Sequence, residues 1–118
     1  MAAPAAKYSH GVLSEGSQRM LHSSGVVPTN ALGEVSLDLG EQARQVWSNL
    51  TAILAEGQMS VTDIVSVTTY VVAGNDLTVV MAARDVALRG HLAASTLVTV
   101  PLLARPEWML EISIVAAR

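Results

Sequence analysis

The chain has 118 residues, a length that suits one domain, but only 14% of them are charged and 51% are hydrophobic, with a mean hydropathy of +0.42. An average soluble domain carries about 25% charged residues, so this chain either enters a membrane or hides surface in an oligomer. It has no cysteine, which excludes a disulfide framework, a thiolate nucleophile and a cysteine-ligated metal and fits the cytoplasm, while a net charge of -3 with seven scattered Lys and Arg lacks the basic footprint of a nucleic-acid binder.

Residues 1–6 are Ala- and Pro-rich and read as a flexible lead, without the basic and long apolar regions of a signal peptide. Residues 7–118 then read as a single domain. The run from Ser17 to Gly25 is expected to be a strand ending in a turn, and Pro28 to Gly33 is turn-like. Ala43, Val46, Trp47, Leu50, Ile53 and Leu54 recur at helical spacing. This places a helix at about 39–56, with Asp38 and Glu41 as a capping box and Gly57 as its stop. Trp47 lies on the apolar stripe and is expected in the core.

Ile64 to Val72 reads as a strand that is apolar on both faces. Val65, Val67, Thr69 and Val71 form one face; Ile64, Ser66, Thr68, Tyr70 and Val72 form the other. Asn75 or Asp76 caps a second helix at about 77–89, with Leu77, Val80, Met81 and Leu88 as its stripe. Strands are expected at Ser95–Val100 and at Trp108–Ala116, the latter with Leu110, Ile112, Ile114 and Ala116 on one face. A membrane span needs about 20 apolar residues, and the best stretch, Val61 to Val80, is broken by Asp63, Asn75, Asp76 and several Ser and Thr.

Two helices cover one face of a mixed sheet. The other face carries Tyr70, Val72, Met109 and Val115 and has no helix left to cover it. Copies of the chain are therefore expected to cover it, and closed symmetric assemblies are the usual outcome. Ligand pockets then fall where copies meet.

In this order of elements, Tyr8-Ser9-His10-Gly11 resembles the early Tyr-x-x-Gly of the Rid (YjgF-like) family. Ser23-Ser24-Gly25-Val26-Val27-Pro28 resembles that family's Ser-Gly-Gln-Ile-Pro turn. Glu41-Gln42-Ala43-Arg44-Gln45-Val46 is similar to its Glu-Gln-Thr-Arg-Gln-Val helix opening, and Asp63-Ile64-Val65 with Thr68-Thr69-Tyr70-Val71 to its Asp-Val-Val-Lys-Thr-Thr-Val-Tyr. Asn75-Asp76-Leu77 and Leu110-Glu111-Ile112 continue the likeness, which covers about residues 7–117. The resemblance implies an α+β, chorismate-mutase-like fold with two helices packed on one face of a mixed sheet, and a homotrimer with small-molecule clefts between subunits. It also implies hydrolysis of enamines and imines to keto acids and ammonia, without cofactor or metal.

Carried over by position, Glu111 is the catalytic carboxylate that activates water, and Tyr8, Ser24, Gly25 and Thr96 line the cleft. Each has a plainer reading: an inter-subunit ion pair for Glu111, a glycine-requiring turn for Ser24-Gly25, an interface filler for Tyr8, a strand residue for Thr96. Ala94 stands where the family's Arg grips the substrate carboxylate, and Met81 replaces an Asn often seen in the second helix. Losing one partner of a desolvated charge pair costs about 2–5 kcal/mol, or roughly 30-fold to several thousandfold in affinity. The substrate is therefore expected to differ from typical amino-acid-derived imines. Arg105, in a loop about two residues longer than usual, is either a substitute cation or a solvated one; Trp108 shapes the pocket mouth or packs an interface. The alternatives are a trimer that binds a metabolite without consuming it, and a ribonuclease, against which the acidic balance argues.

Overall fold

A computed structural model describes all residues, 1–118. Its elements run β1 (Met20–His22), α1 (Leu39–Glu56), β2 (Ile64–Val72), α2 (Leu77–Leu88), β3 (Ala94–Val100) and β4 (Leu110–Ala117), with a short 3-10 turn at Val61–Asp63. The sheet order is β1-β4-β2-β3. β4 pairs antiparallel with both β1 and β2, and β2 pairs parallel with β3 through the α2 crossover. Both helices share one side of this mixed sheet. Val46, Trp47, Leu50 and Leu54 of α1 join Val67 and Val71 of β2 and Leu110, Ile112, Ile114 and Ala116 of β4 in one core. Trp47 is buried there, as its place on the stripe indicated.

The helix boundaries follow their caps. The Asp38 side chain accepts from Glu41 N at 2.9 Å, and Gly57 closes the last turn of α1. The capping box is only half made, because the Glu41 carboxylate turns to Arg44 at 3.0 Å instead of reaching back. Asp76 caps α2, accepting from the backbone and hydroxyl of Thr78. Those bonds hold its carboxyl below the ordinary aspartate range. The cap is complete above that range and is lost as acid takes the pH down through the lowered value.

Several details differ from the expectation. The first strand is only three residues long, because the Ser23 hydroxyl accepts the Ile114 N–H at 2.9 Å and interrupts the ladder; pairing resumes at Val26–Ile112. A register shift between Ile64 and Ser66 turns Ile64 to the helix side, where it is buried. β4 starts at Leu110 rather than Trp108, since Met109 N donates to Gln42 Oε1 at 2.9 Å. In α2 the buried stripe runs Val80, Arg84, Leu88, and Met81 is only half-buried. Arg84 fills a place in the helical spacing that an apolar residue would ordinarily take. Its Nε donates to Asp85 Oδ1 at 3.1 Å, and its Nη2 lies 3.0 Å from the same oxygen.

No helix of the chain covers the other face of the sheet. Met20 and Val98 are 58% and 39% exposed there, beside the half-buried Tyr70, Val72 and Val115. No helix is long and apolar enough to cross a membrane.

Two side-chain amides, the buried Gln42 and the half-buried Asn49, tie loops to α1. Gln42 is fully buried; its Nε2 donates to Ser36 O (2.7 Å) and Glu107 O (2.9 Å) while its Oε1 accepts from Met109 N. Asn49 Nδ2 donates to Val27 O (3.1 Å) and Thr29 O (3.0 Å). Replacing Gln42 by the similarly sized Met strands three backbone groups, each costing about 1–3 kcal/mol if left unpaired. With water reaching some of them, we expect a loss of about 2–4 kcal/mol, read as a fall of roughly 10 °C in Tm at fixed protein concentration. A Tm within 2 °C or so of wild type would show that the clamp is dispensable.

Candidate functional site

β4 delivers Glu111 to the uncovered face, because Leu110 and Ile112 on either side of it point into the core. The Val26–Ile112 bridge sets the segment after β1 against β4, with backbone bonds of 2.7 and 3.0 Å. Gly25 and Val27 therefore flank the Glu111 side chain. Contact is so close that a Cβ on Gly25 would overlap the Glu111 carboxylate and lie 3.1 Å from its Cγ. Glycine is needed here for close approach, since the backbone of Gly25 is not left-handed.

The N–H groups of Ser23 and Val26 are used by Ile114 O and Ile112 O. Those of Ser24 and Gly25, between them, make no bond to the ladder. The Glu111 carboxylate thus lies against a turn whose two amides are outside the ladder, an arrangement chemically suited to a base next to donors for an oxygen that gains negative charge. Glu111 is half-buried and takes part in none of the three salt bridges. No three His, Asp or Glu side chains converge as a metal site would require.

Arg105 and Trp108 stand on the loop before β4, on a cleft that includes Val27, the register neighbour of Glu111. They line a cleft of about 460 Å³ with Val27, Thr29, Val35 and Glu107. The Arg105 guanidinium lies over the Trp108 ring, 5.7 Å from its centroid. The loop Pro101–Pro106 carries Arg105, and Gln42 fixes its far end through Glu107 O and Met109 N.

Tyr8, Ala94 and Thr96 form a separate group. Ser9 N donates to Ala93 O at 3.0 Å, which sets Tyr8 beside the start of β3. The Tyr8 hydroxyl accepts from Ala5 N at 3.4 Å, and its ring meets His10 edge-on. Ala94 and Thr96 pair with Ser66 and Thr68, whereas Glu111 pairs with Tyr70. Ala94 and Glu111 are thus two strands apart and offset by four residues along β2, about 13 Å of strand. One copy of the chain does not bring them together. Met81 stands apart from both groups on α2, in the helix layer across the sheet.

Comparison with known proteins identifies the frame. The family model described as "Endoribonuclease L-PSP" matches residues 1–118. The solved structure of YyfB from Yersinia pestis, a Rid-family protein of unknown function, superposes with a TM-score of 0.83 at 32% identity, covering 95% of this chain and 87% of that one. The chain belongs to the Rid (YjgF) family. The YjgF gene product of Escherichia coli is similar at 33% identity, with a TM-score of 0.79 and coverage of 98% and 91%. A curated Escherichia coli relative named 2-iminobutanoate/2-iminopropanoate deaminase is 37% identical over 73 residues, 61% of this chain and 57% of that protein. The match thus spans little more than half the length of that curated Rid relative.

Sequence reasoning missed the Gln42 and Asn49 clamps. Their signal was present as polar amides inside a helical apolar spacing, but which loops they hold depends on contacts 65 and 22 residues away. Gly25→Ala tests the close approach. The overlapping atoms are the far end of a flexible side chain, so the variant should melt within a few degrees of wild type. The Glu111 carboxyl resonance should nevertheless shift as the carboxylate is pushed aside. An unmoved resonance would mean that the glycine serves only the turn.

Proposed function

We propose that this Rid protein forms a homotrimer whose seams make small-molecule clefts, and that each cleft hydrolyses an imine or its enamine tautomer. The substrate differs from the usual amino-acid-derived imines. The reading is carried by one observation: the Glu111 carboxylate seated on Gly25 beside two unused amides, on the sheet face that no helix covers. Its relative's name supplies the reaction class.

In this reading Glu111 takes a proton from water as the oxygen attacks the C=N carbon. The carbinolamine that forms carries one O–H and one amino group. The first proton passes from Glu111 to nitrogen to complete that amino group; Glu111 then takes the O–H proton and delivers it to nitrogen as the C–N bond breaks, so that ammonia leaves a carbonyl compound. The Ser24 and Gly25 amides hold the oxygen as charge develops. A second copy supplies the Tyr8, Ala94 and Thr96 group, which lies out of reach within one chain. Ala94 offers no cation to a carboxylate next to the C=N bond, and this favours one further reading, a trimer that binds its ligand without consuming it.

Ammonia release from a panel of imines made in situ separates the two. Glu111→Gln should lower turnover about 100-fold or more, in line with the loss of a general base; wild-type rates in that variant would remove Glu111 from the chemistry. A ligand that raises Tm and is never consumed would favour the binding trimer. Ala94→Arg should raise 2-iminopropanoate hydrolysis about 30-fold or more. High activity of the unmodified protein on that substrate would show that another group supplies the cation. Sedimentation at micromolar concentration should give three chains per particle, and a monomer would dissolve the seam.

A further inference from the structure

The cleft walled by Val27 contains a cation that enters no ion pair with another side chain of this protein. Arg105 is exposed and enters none of the three salt bridges. Its guanidinium carbon lies over the Trp108 ring, 5.7 Å from the centroid, and its planar fork of N–H donors enters no ion pair. The loop under it is fixed: Trp108 N donates to Arg105 O at 3.2 Å, and Gln42 holds Glu107 O and Met109 N. The opposite wall carries the apolar Val27 and Val35 and the polar Thr29. Asn49 anchors that wall through Val27 O and Thr29 O. The volume, about 460 Å³, falls in the usual range for small-molecule sites. Val27, one wall of the cleft, is set in register with Glu111 by the Val26–Ile112 bridge.

From this we infer that the cleft is a carboxylate-binding subsite. Arg105 grips the anion with its planar fork, Val27 and Val35 receive a small apolar body, and Trp108 is a positioning residue that fixes the guanidinium. Glu107 on the same cleft opposes a second negative charge, so the ligand class is a monoanion and not a phosphate dianion. The role in turnover rests on the imine-hydrolase reading: the substrate would carry its carboxylate away from the C=N bond, toward Arg105 and not toward Ala94.

Titration calorimetry on the full chain tests this with benzoate, its neutral analogue benzamide, and phenyl phosphate. Benzoate should bind once per chain and more tightly than either. Arg105→Gln should weaken benzoate about tenfold or more and leave benzamide unchanged. Arg105→Lys, which keeps the charge but loses the fork, should fall between. Trp108→Leu should reduce the preference for benzoate over benzamide, a ratio that a merely structural role would not move. No benzoate binding, or equal benzoate affinity in wild type and Arg105→Gln, would overturn the subsite; a preference for phenyl phosphate would overturn the monoanion class. Benzoate held by Arg105 with no imine turned over would keep the subsite and remove the reaction. Imine turnover that benzoate does not inhibit and Arg105→Gln does not slow would do the reverse.

Discussion

Two side-chain amides on one helix hold the loops of the candidate site in place. Gln42 and Asn49 face away from the exposed side of α1 and hydrogen-bond backbone groups of two different loops. One loop carries Arg105 and Trp108 into β4. The other follows the Ser24-Gly25 turn. Pairing within these loops is limited to single bridges such as Thr29–Val35, and a loop with unpaired backbone groups is costly to bury. The amides satisfy those groups and convert a helix buried for hydrophobic reasons into a template for the cleft. Gln45 completes the arrangement by donating to Asn49 Oδ1 at 2.8 Å, which sets which end of the Asn49 amide faces the loop.

The sheet imposes a second constraint. Alternation along β4 sends Leu110, Ile112, Ile114 and Ala116 into the core and leaves Glu111, Ser113 and Val115 on the far side. The same period places Thr68 and Tyr70 of β2 and Thr96 and Val98 of β3 there. A carboxylate on such a strand has to share its face with apolar neighbours. In the proposed trimer, that places the carboxylate at a boundary between subunits and not in a pocket of one chain. The distance between Glu111 and the Ala94 group follows from strand register alone.

Much of the fold was legible because local signals agreed with one another. The limits of α1 followed from Asp38, Gly57 and the spacing of Val46, Trp47, Leu50 and Leu54, and β2 from a continuous apolar and β-branched run. The strand limits that shifted did so where a side chain took over a backbone bond, as Ser23 does at Ile114 and Gln42 at Met109. Arg84 was unreadable for a similar reason: spacing marks it as inward-facing, but only its contact with Asp85 makes that burial tolerable.

The sequence by itself determined the element order, the helix caps, the two-faced sheet and the family, since each rests on short-range periodicity or on collinear words. It also marked Glu111, Gly25, Arg105 and Trp108 as residues of interest. Only the tertiary structure decided which of these meet. Gly25 meets Glu111 because a bridge across 86 residues sets Val26 on Ile112, and Arg105 lines a cleft because Gln42 and Asn49 hold its two walls. Such contacts join residues far apart in the chain, and their geometry is set by packing and register, which no local pattern encodes.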